Sequence, residues 1–252
     1  MDNTSLKTRM NTKVQAMEEQ TFLDLGNPDG SQYLALTGNA LELIQENLKR
    51  QPLSFQLFDM VKSPSGGSTV FSVPGLSGEE PEKELTGIIL DYTTPRAYWA
   101  TSDPVEGMPP TCLSKDSLIS QDGKACAHCP FNDFGSKDGD SPAKACKESV
   151  LLFLLRPGSV FPLLVRVPVT SKKIFLKYTT RLISRMTPLS SVVTKITLEK
   201  ATSREGKPYA LFHFDAVQTL DQGTAAKARE FGRQFMECVN TADVEPVVTQ
   251  AS

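Results

Sequence analysis

The sequence predicts a β-rich α+β fold: an OB-like five-stranded barrel with a four-cysteine metal-binding insert and flanking helices. Three observations predict it. Apolar runs of strand length, bounded by turns rich in Gly, Pro and Ser, recur from residue 85 to residue 217. One amphipathic helical segment interrupts them at residues 171–186, with two strands after it. A stretch crowded with Gly, Pro, Ser and Asp, residues 102–146, carries four of the five cysteines.

The elements follow in chain order. Residues 1–33 read as a polar leader, expected to be partly disordered, with turn signals in GNPDGS at 26–31. Residues 36–51 are helical, because Leu41, Leu43, Ile44 and Leu48 fall on one stripe between charged residues. Thr37 or Asn39 can cap that helix. Residues 53–58, extended towards Met60, and residues 68–73 read as a small hairpin around the turn SPSGG at 63–67. Residues 74–84 read as a loop.

The main domain then begins. Residues 85–94 and 96–101 are strands broken at Pro95. After the cysteine insert come strands at 148–156 and 160–169, joined by the turn PGS. Residues 171–186 form a helix that Ser171 can cap, with Ile174, Phe175, Tyr178, Leu182 and Ile183 as its apolar stripe. Strands at 190–202 and 208–217 flank the turn SREGK. A closing helix spans 224–240, and a short polar tail covers 241–252. The first hairpin of this domain, taken as one long bent strand, gives three strands, a helix and two strands. That is the order of an OB barrel, which binds oligonucleotides on a strand face and with neighbouring loops. The domain is therefore set at 34–240, with its insert at 102–147.

Composition excludes several classes. Hydrophobic residues make up 39% of the 252, enough for a core, yet no apolar run approaches the roughly 20 residues of a membrane span. The N-terminus has no apolar core of a secretory signal, so a cytoplasmic protein with no membrane partner is expected. The net charge of −2 conceals segregation: residues 144–207 hold 13 Lys or Arg against 3 Glu. Such a basic region is the electrostatic footprint of a polyanion binder. No P-loop, HExxH or G-x-S-x-G is present, and there are only two histidines, so no enzyme is expected.

The cysteines read C-x13-C-x2-C-x16-C: Cys112, Cys126, Cys129 and Cys146. Two residues between thiolates let both sulfurs reach one ion from a tight turn, and the outer pair completes a tetrahedron. A closed four-thiolate site suits structural zinc. It also explains how so long an insert is held. An iron–sulfur cluster is the alternative cofactor, His128 is a weaker candidate ligand, and four free thiols remain the bland alternative. Cys238, on the apolar stripe of the last helix with Phe231, Phe235 and Val239, reads as a buried free cysteine.

Single-strand binding needs a basic groove and aromatic faces for the bases. Tyr92, Tyr98, Trp99, Phe134 and Tyr209 are the aromatic candidates. Arg96, Arg156, Arg166, Lys173, Lys177, Arg181, Lys195, Arg204 and Lys207 are the basic ones. Lys173, Lys177, Arg181 and Arg185 recur at helical spacing. Asp91 and Glu199 are the carboxylates a nuclease site could use.

Residues 126–158 carry Cys126, Cys129, Pro130, Asn132, Phe134, Gly135, Ser136, Lys144, Ala145, Cys146 and Lys147 in a pattern C-x-x-C-P-x-N-x-F-G-S…K-A-C-K. This resembles a family of uncharacterised proteins of bacteriophages and integrative elements, with likeness reaching to about residue 217. More loosely, the chain is similar to phage single-stranded DNA-binding proteins whose OB-fold can carry a zinc knuckle, although it lacks their strongly acidic tail. The resemblance implies a sequence-tolerant single-stranded DNA binder in phage or mobile-element replication or recombination, with replication or recombination proteins as partners. A zinc-knuckle adaptor and an iron–sulfur-bearing nuclease are the alternatives.

Overall fold

The computed structural model describes residues 32–49, 51, 53–54, 57–101, 108–137, 142–203 and 206–240. Most of the expected leader, the tail and Arg204 lie outside them.

The N-terminal helix is shorter than its stripe predicts. A 3-10 turn at Leu34–Leu36 comes first, then α1 at Ala40–Asn47, ending where Lys49 takes a φ of 54°. The expected hairpin over 53–73 is not formed. Instead β1 (Leu53–Ser54) pairs in parallel with residues 239–240, and β2 (Met60–Val61) runs parallel to residues 164–165. β3 (Phe71–Gly75) pairs with β4 (Gly78–Glu82), which was expected as loop. The GEEPE of β4 has little strand propensity of its own. Its pairing is fixed by the Gly78 turn, at φ 130°, and by Arg156, whose two terminal nitrogens each lie 2.9 Å from an oxygen of Glu82.

The main sheet is built from β5 (Glu84–Thr93), β6 (Arg96–Tyr98), β7 (Cys112–Ser114), β8 (Lys147–Leu155), β9 (Leu163–Pro168), β10 (Val192–Thr202) and β11 (Pro208–Thr219). β5 and β6 lie end to end along one edge of β8, so they act as the single bent strand expected, with Pro95 at the bend. The order across the sheet is β11–β10–β5–β8–β9–β2, with β7 added beside β6. Among the described residues no hydrogen-bonded ladder joins β11 to β9 or β2, so the sheet is a curled half-barrel with two edges.

Both faces of this sheet are covered. α2 (Val169–Ile183) and β3 pack on one side, over Leu85, Ile89, Leu152, Leu154, Val165, Ile196 and Phe212. α3 (Gln222–Cys238), α1 and Tyr33 pack on the other, over Ile88, Leu151, Phe153, Leu164 and Val193. Alternation therefore fails in β8: Val150–Leu155 is buried residue by residue, which is why it reads as a continuous apolar run. A short final strand, β12 (Val239–Asn240), closes on β1.

Two helix starts differ from expectation. Ser171 does not cap α2; Pro168 holds that position. Ser171 is fully buried instead, and its hydroxyl accepts the amide of Phe212 at 3.0 Å, tying the helix to β11. α3 begins at Asp221, whose carboxylate accepts the amides of Gly223 and Thr224 at 2.8 and 3.0 Å. None of the described helices is long and apolar enough to cross a membrane.

Candidate metal centre and nucleic-acid interface

The cysteine-bearing insert leaves the sheet after β6 and returns at β8. Its first leg is not a loop: β7 pairs with β6 so that Cys112 lies opposite Tyr98. A turn follows, nailed by Asp116, which accepts from the Leu118 amide at 2.8 Å, the Ile119 amide at 3.3 Å and the Ser114 hydroxyl at 3.1 Å. Those bonds hold its carboxyl below the usual range. The Cys126 amide then donates to Leu118 carbonyl at 2.8 Å, and the Cys129 amide to Cys126 carbonyl at 3.3 Å, which sets the C-x2-C turn.

The polar residues of the motif form the frame of this lobe. Asn132 Nδ2 donates to the Cys126 carbonyl at 3.0 Å and Lys144 Nζ donates to Asn132 Oδ1 at 3.1 Å. Ser136 donates to the Phe131 carbonyl at 3.0 Å and accepts the Ala145 amide at 2.9 Å. Gly135 supplies a φ of 80° at the bend. The Cys146 amide closes the lobe on the Phe131 carbonyl at 2.8 Å.

The consequence is that Cys112, Cys126, Cys129 and Cys146, from three separate segments, line one cavity of about 40 Å³ with Arg96, Tyr98 and Phe131. All four are free thiols. They stand around the cavity; among the described residues no three His, Cys, Asp or Glu side chains are already gathered as a ligand set. Burial pushes the Cys146 thiol up to about 12, with Arg96 opposing and the other three thiols adding. Burial also raises Cys112, against a hydrogen bond from Ser120. His128 is exposed and does not line the cavity. Cys238 is half-buried, with Gln45 Nε2 donating to its sulfur at 3.4 Å.

The nucleic-acid candidates divide by location. Phe134 stands on the lobe with 82% of its surface exposed, and Lys144 Nζ lies 4.6 Å above its ring. Tyr98 stacks flat on Phe131, centroids 3.9 Å apart, so one of its faces is taken. Tyr92 meets Phe175 edge-on at 4.9 Å, and Trp99 Nε1 donates to the Met108 carbonyl at 3.0 Å while its ring packs on the core. Lys173, Lys177 and Arg181 are exposed along the outer side of α2. Lys195 and Tyr209 are half-buried on the opposite side of the sheet, and Lys207 is exposed in the β10–β11 turn.

Three of the basic candidates serve the fold. Arg156 is engaged by Glu82, Arg166 is buried in the sheet, where desolvation lowers its pKa, and Arg96 is buried at 3.2 Å from Glu148. Glu148 also receives Lys172 of α2, so this ionic triad ties the lobe to the start of the helix. Sequence reasoning missed Glu148 and Phe131. The available signal was a charge within an apolar strand, since such charges are buried only when paired. Asp91 and Glu199 do not share a site: Glu84 pairs with Thr197, placing Glu199 beyond one end of β5 and Asp91 near the other. Glu199 instead lies 2.8 Å from His213.

No family model, curated protein or solved structure matches this chain.

Proposed function

We propose that this chain is a sequence-tolerant single-stranded DNA-binding protein of phage or mobile-element replication or recombination, built on an OB-like half-barrel with a metal-stiffened lobe. The observation that carries the reading is the juxtaposition at the lobe: an exposed Phe134 with a lysine over its ring, beside a four-thiol cavity, joined by Glu148 to a helix bearing Lys173, Lys177 and Arg181. Stacking on a free aromatic face and neutralisation of phosphates are the two forces that hold single strands. β5 with β6, β8, β9, α2, β10 and β11 follow the chain order of an OB barrel. In that scheme the lobe is the loop between the first and second strands, one of the two loops with which such barrels grip oligonucleotides. The usual face of the second and third strands is not free here, because β8 is buried on both sides. The contact surface is therefore assigned to the lobe and the outer side of α2.

Fluorescence anisotropy with labelled oligonucleotides at two salt concentrations tests this. Binding is expected at low salt and weakens steeply as salt rises. Phe134→Ala removes one stacking platform, an expected loss of about 1–3 kcal/mol. Absence of binding at low salt, with the protein folded, rejects the function.

One observation favours a second reading. Leu118, Ile119 and Phe134 are all exposed on the lobe, at 67%, 59% and 82%. Exposed apolar side chains gathered on one lobe also suit a protein partner, so a zinc-knuckle adaptor is the alternative. Its partner would still bind in high salt, where DNA binding is lost.

A further inference from the structure

We infer that the four-cysteine cavity takes a single divalent thiophilic ion, zinc by preference, and that Arg96 is the buried donor that offsets the charge of the resulting centre. The inference rests on the metal reading of the lobe, and is independent of what the lobe contacts.

Charge is the first argument. Binding exchanges four thiol protons for one ion, M²⁺ + 4 RSH → [M(SR)₄]²⁻ + 4 H⁺, and leaves a net charge of −2. A buried double negative charge needs a cation or strong donors close by. Arg96 is the buried cation on the cavity wall, with a side chain only 10% exposed. Its Nη2 lies 3.2 Å from Glu148 and its Nε 3.4 Å from the Ser117 hydroxyl. Its Nη1 is buried and has no acceptor among the described residues. An unused guanidinium N–H is costly in a folded protein. A cavity thiolate is the acceptor it lacks, since Arg96 and the four cysteines line the same cavity. Glu148, held in turn by Lys172, fixes the far side of the fork. Such outer-shell donors orient metal ligands in known sites.

Donor chemistry is the second argument. Among the described residues the cavity wall carries four sulfurs and no His, Asp or Glu, a set that suits a thiophilic ion. Iron content separates a single ion from a cluster. Arg96 is thus a positioning residue, and the sulfurs are the ligands.

The test uses the full chain and cobalt(II) as the probe. Purified protein, stripped and reloaded, is expected to bind one cobalt with the intense sulfur-to-metal charge-transfer absorption of four thiolates. Arg96→Met should release the ion about 10- to 100-fold more readily to a chelator, and shift that absorption. Arg96→Lys, which keeps the charge but loses the fork, should be intermediate, and it decides the matter if Arg96→Met does not fold. His128→Ala should leave stoichiometry and spectrum unchanged. Wild-type protein that binds no cobalt and carries no metal by native mass spectrometry defeats the metal reading itself. Bound iron with acid-labile sulfide overturns the single-ion assignment. Cobalt held with unchanged affinity and spectrum in the Arg96 variants overturns the role of Arg96 alone.

Discussion

At the scale of single residues, the positions that admit least change are those where backbone meets backbone. Gly87 in β5 is the clearest. A Cβ there would sit 2.4 Å from the Leu155 carbonyl oxygen of β8, and 3.1 Å from the Leu154 side chain. Neither strand can retreat, because β5 lies between β8 and β10 and β8 lies between β5 and β9. Gly87→Ala is therefore expected to cost more than about 2 kcal/mol, read as a lowered urea midpoint. Unchanged stability would mean that the two central strands are further apart than described. Tyr178 is a softer case. Its buried hydroxyl meets Thr194 Oγ1 at 2.7 Å, and burial raises its pKa. Tyr178→Phe should cost about 1 kcal/mol while leaving the fold intact.

Among the elements, α3 depends on its first turn. Asp221 accepts two amides there, and hydrogen bonds from Thr224, led by its side chain, hold the carboxyl below the usual range. A depressed folded pKa contributes stability above the unfolded value, about 3.9, and that contribution is lost as pH falls through the folded value. Asp221→Ala should lower the thermal midpoint at neutral pH, with the gap from wild type narrowing as the solution is acidified below about pH 4. A constant gap at all pH would place the effect elsewhere. The helices at 169–183 and 222–238 were legible because apolar spacing and a cap or break mark them locally. So were β8 to β11, whose runs are long. The hairpin over 53–73 was misread because β1 and β2 each find partners more than a hundred residues away, which no local pattern encodes. β4 was invisible for the converse reason: its acidic residues suit a loop, and only pairing with β3 and the Arg156–Glu82 contact make it a strand. In the site, spacing identified the four cysteines, and the fold brought them to one cavity. It could not distinguish Arg96 and Arg156, spent on internal ion pairs, from the free cations of α2.

For the molecule as a whole, the sheet separates the binding candidates recognised in the sequence into two groups. Lys173, Lys177 and Arg181 lie with the lobe on the α2 side; Lys195 and Tyr209 lie on the side of α3. On the proposed reading, one strand of DNA held at the lobe would reach the first group and not the second. Each phosphate neutralised on a single strand contributes about 0.7 to the slope of log K against log salt. Replacing Lys173, Lys177 and Arg181 together by Gln should then flatten that slope by about 2 and weaken binding at low salt. Replacing Lys195 and Lys207 by Gln should leave the slope nearly unchanged. None of these side chains is in the core, so both variants should melt close to wild type and any change in slope reports contact. Equal effects from the two sets would mean that the nucleic acid wraps both faces, and the contact surface assigned to the lobe and α2 would have to be redrawn.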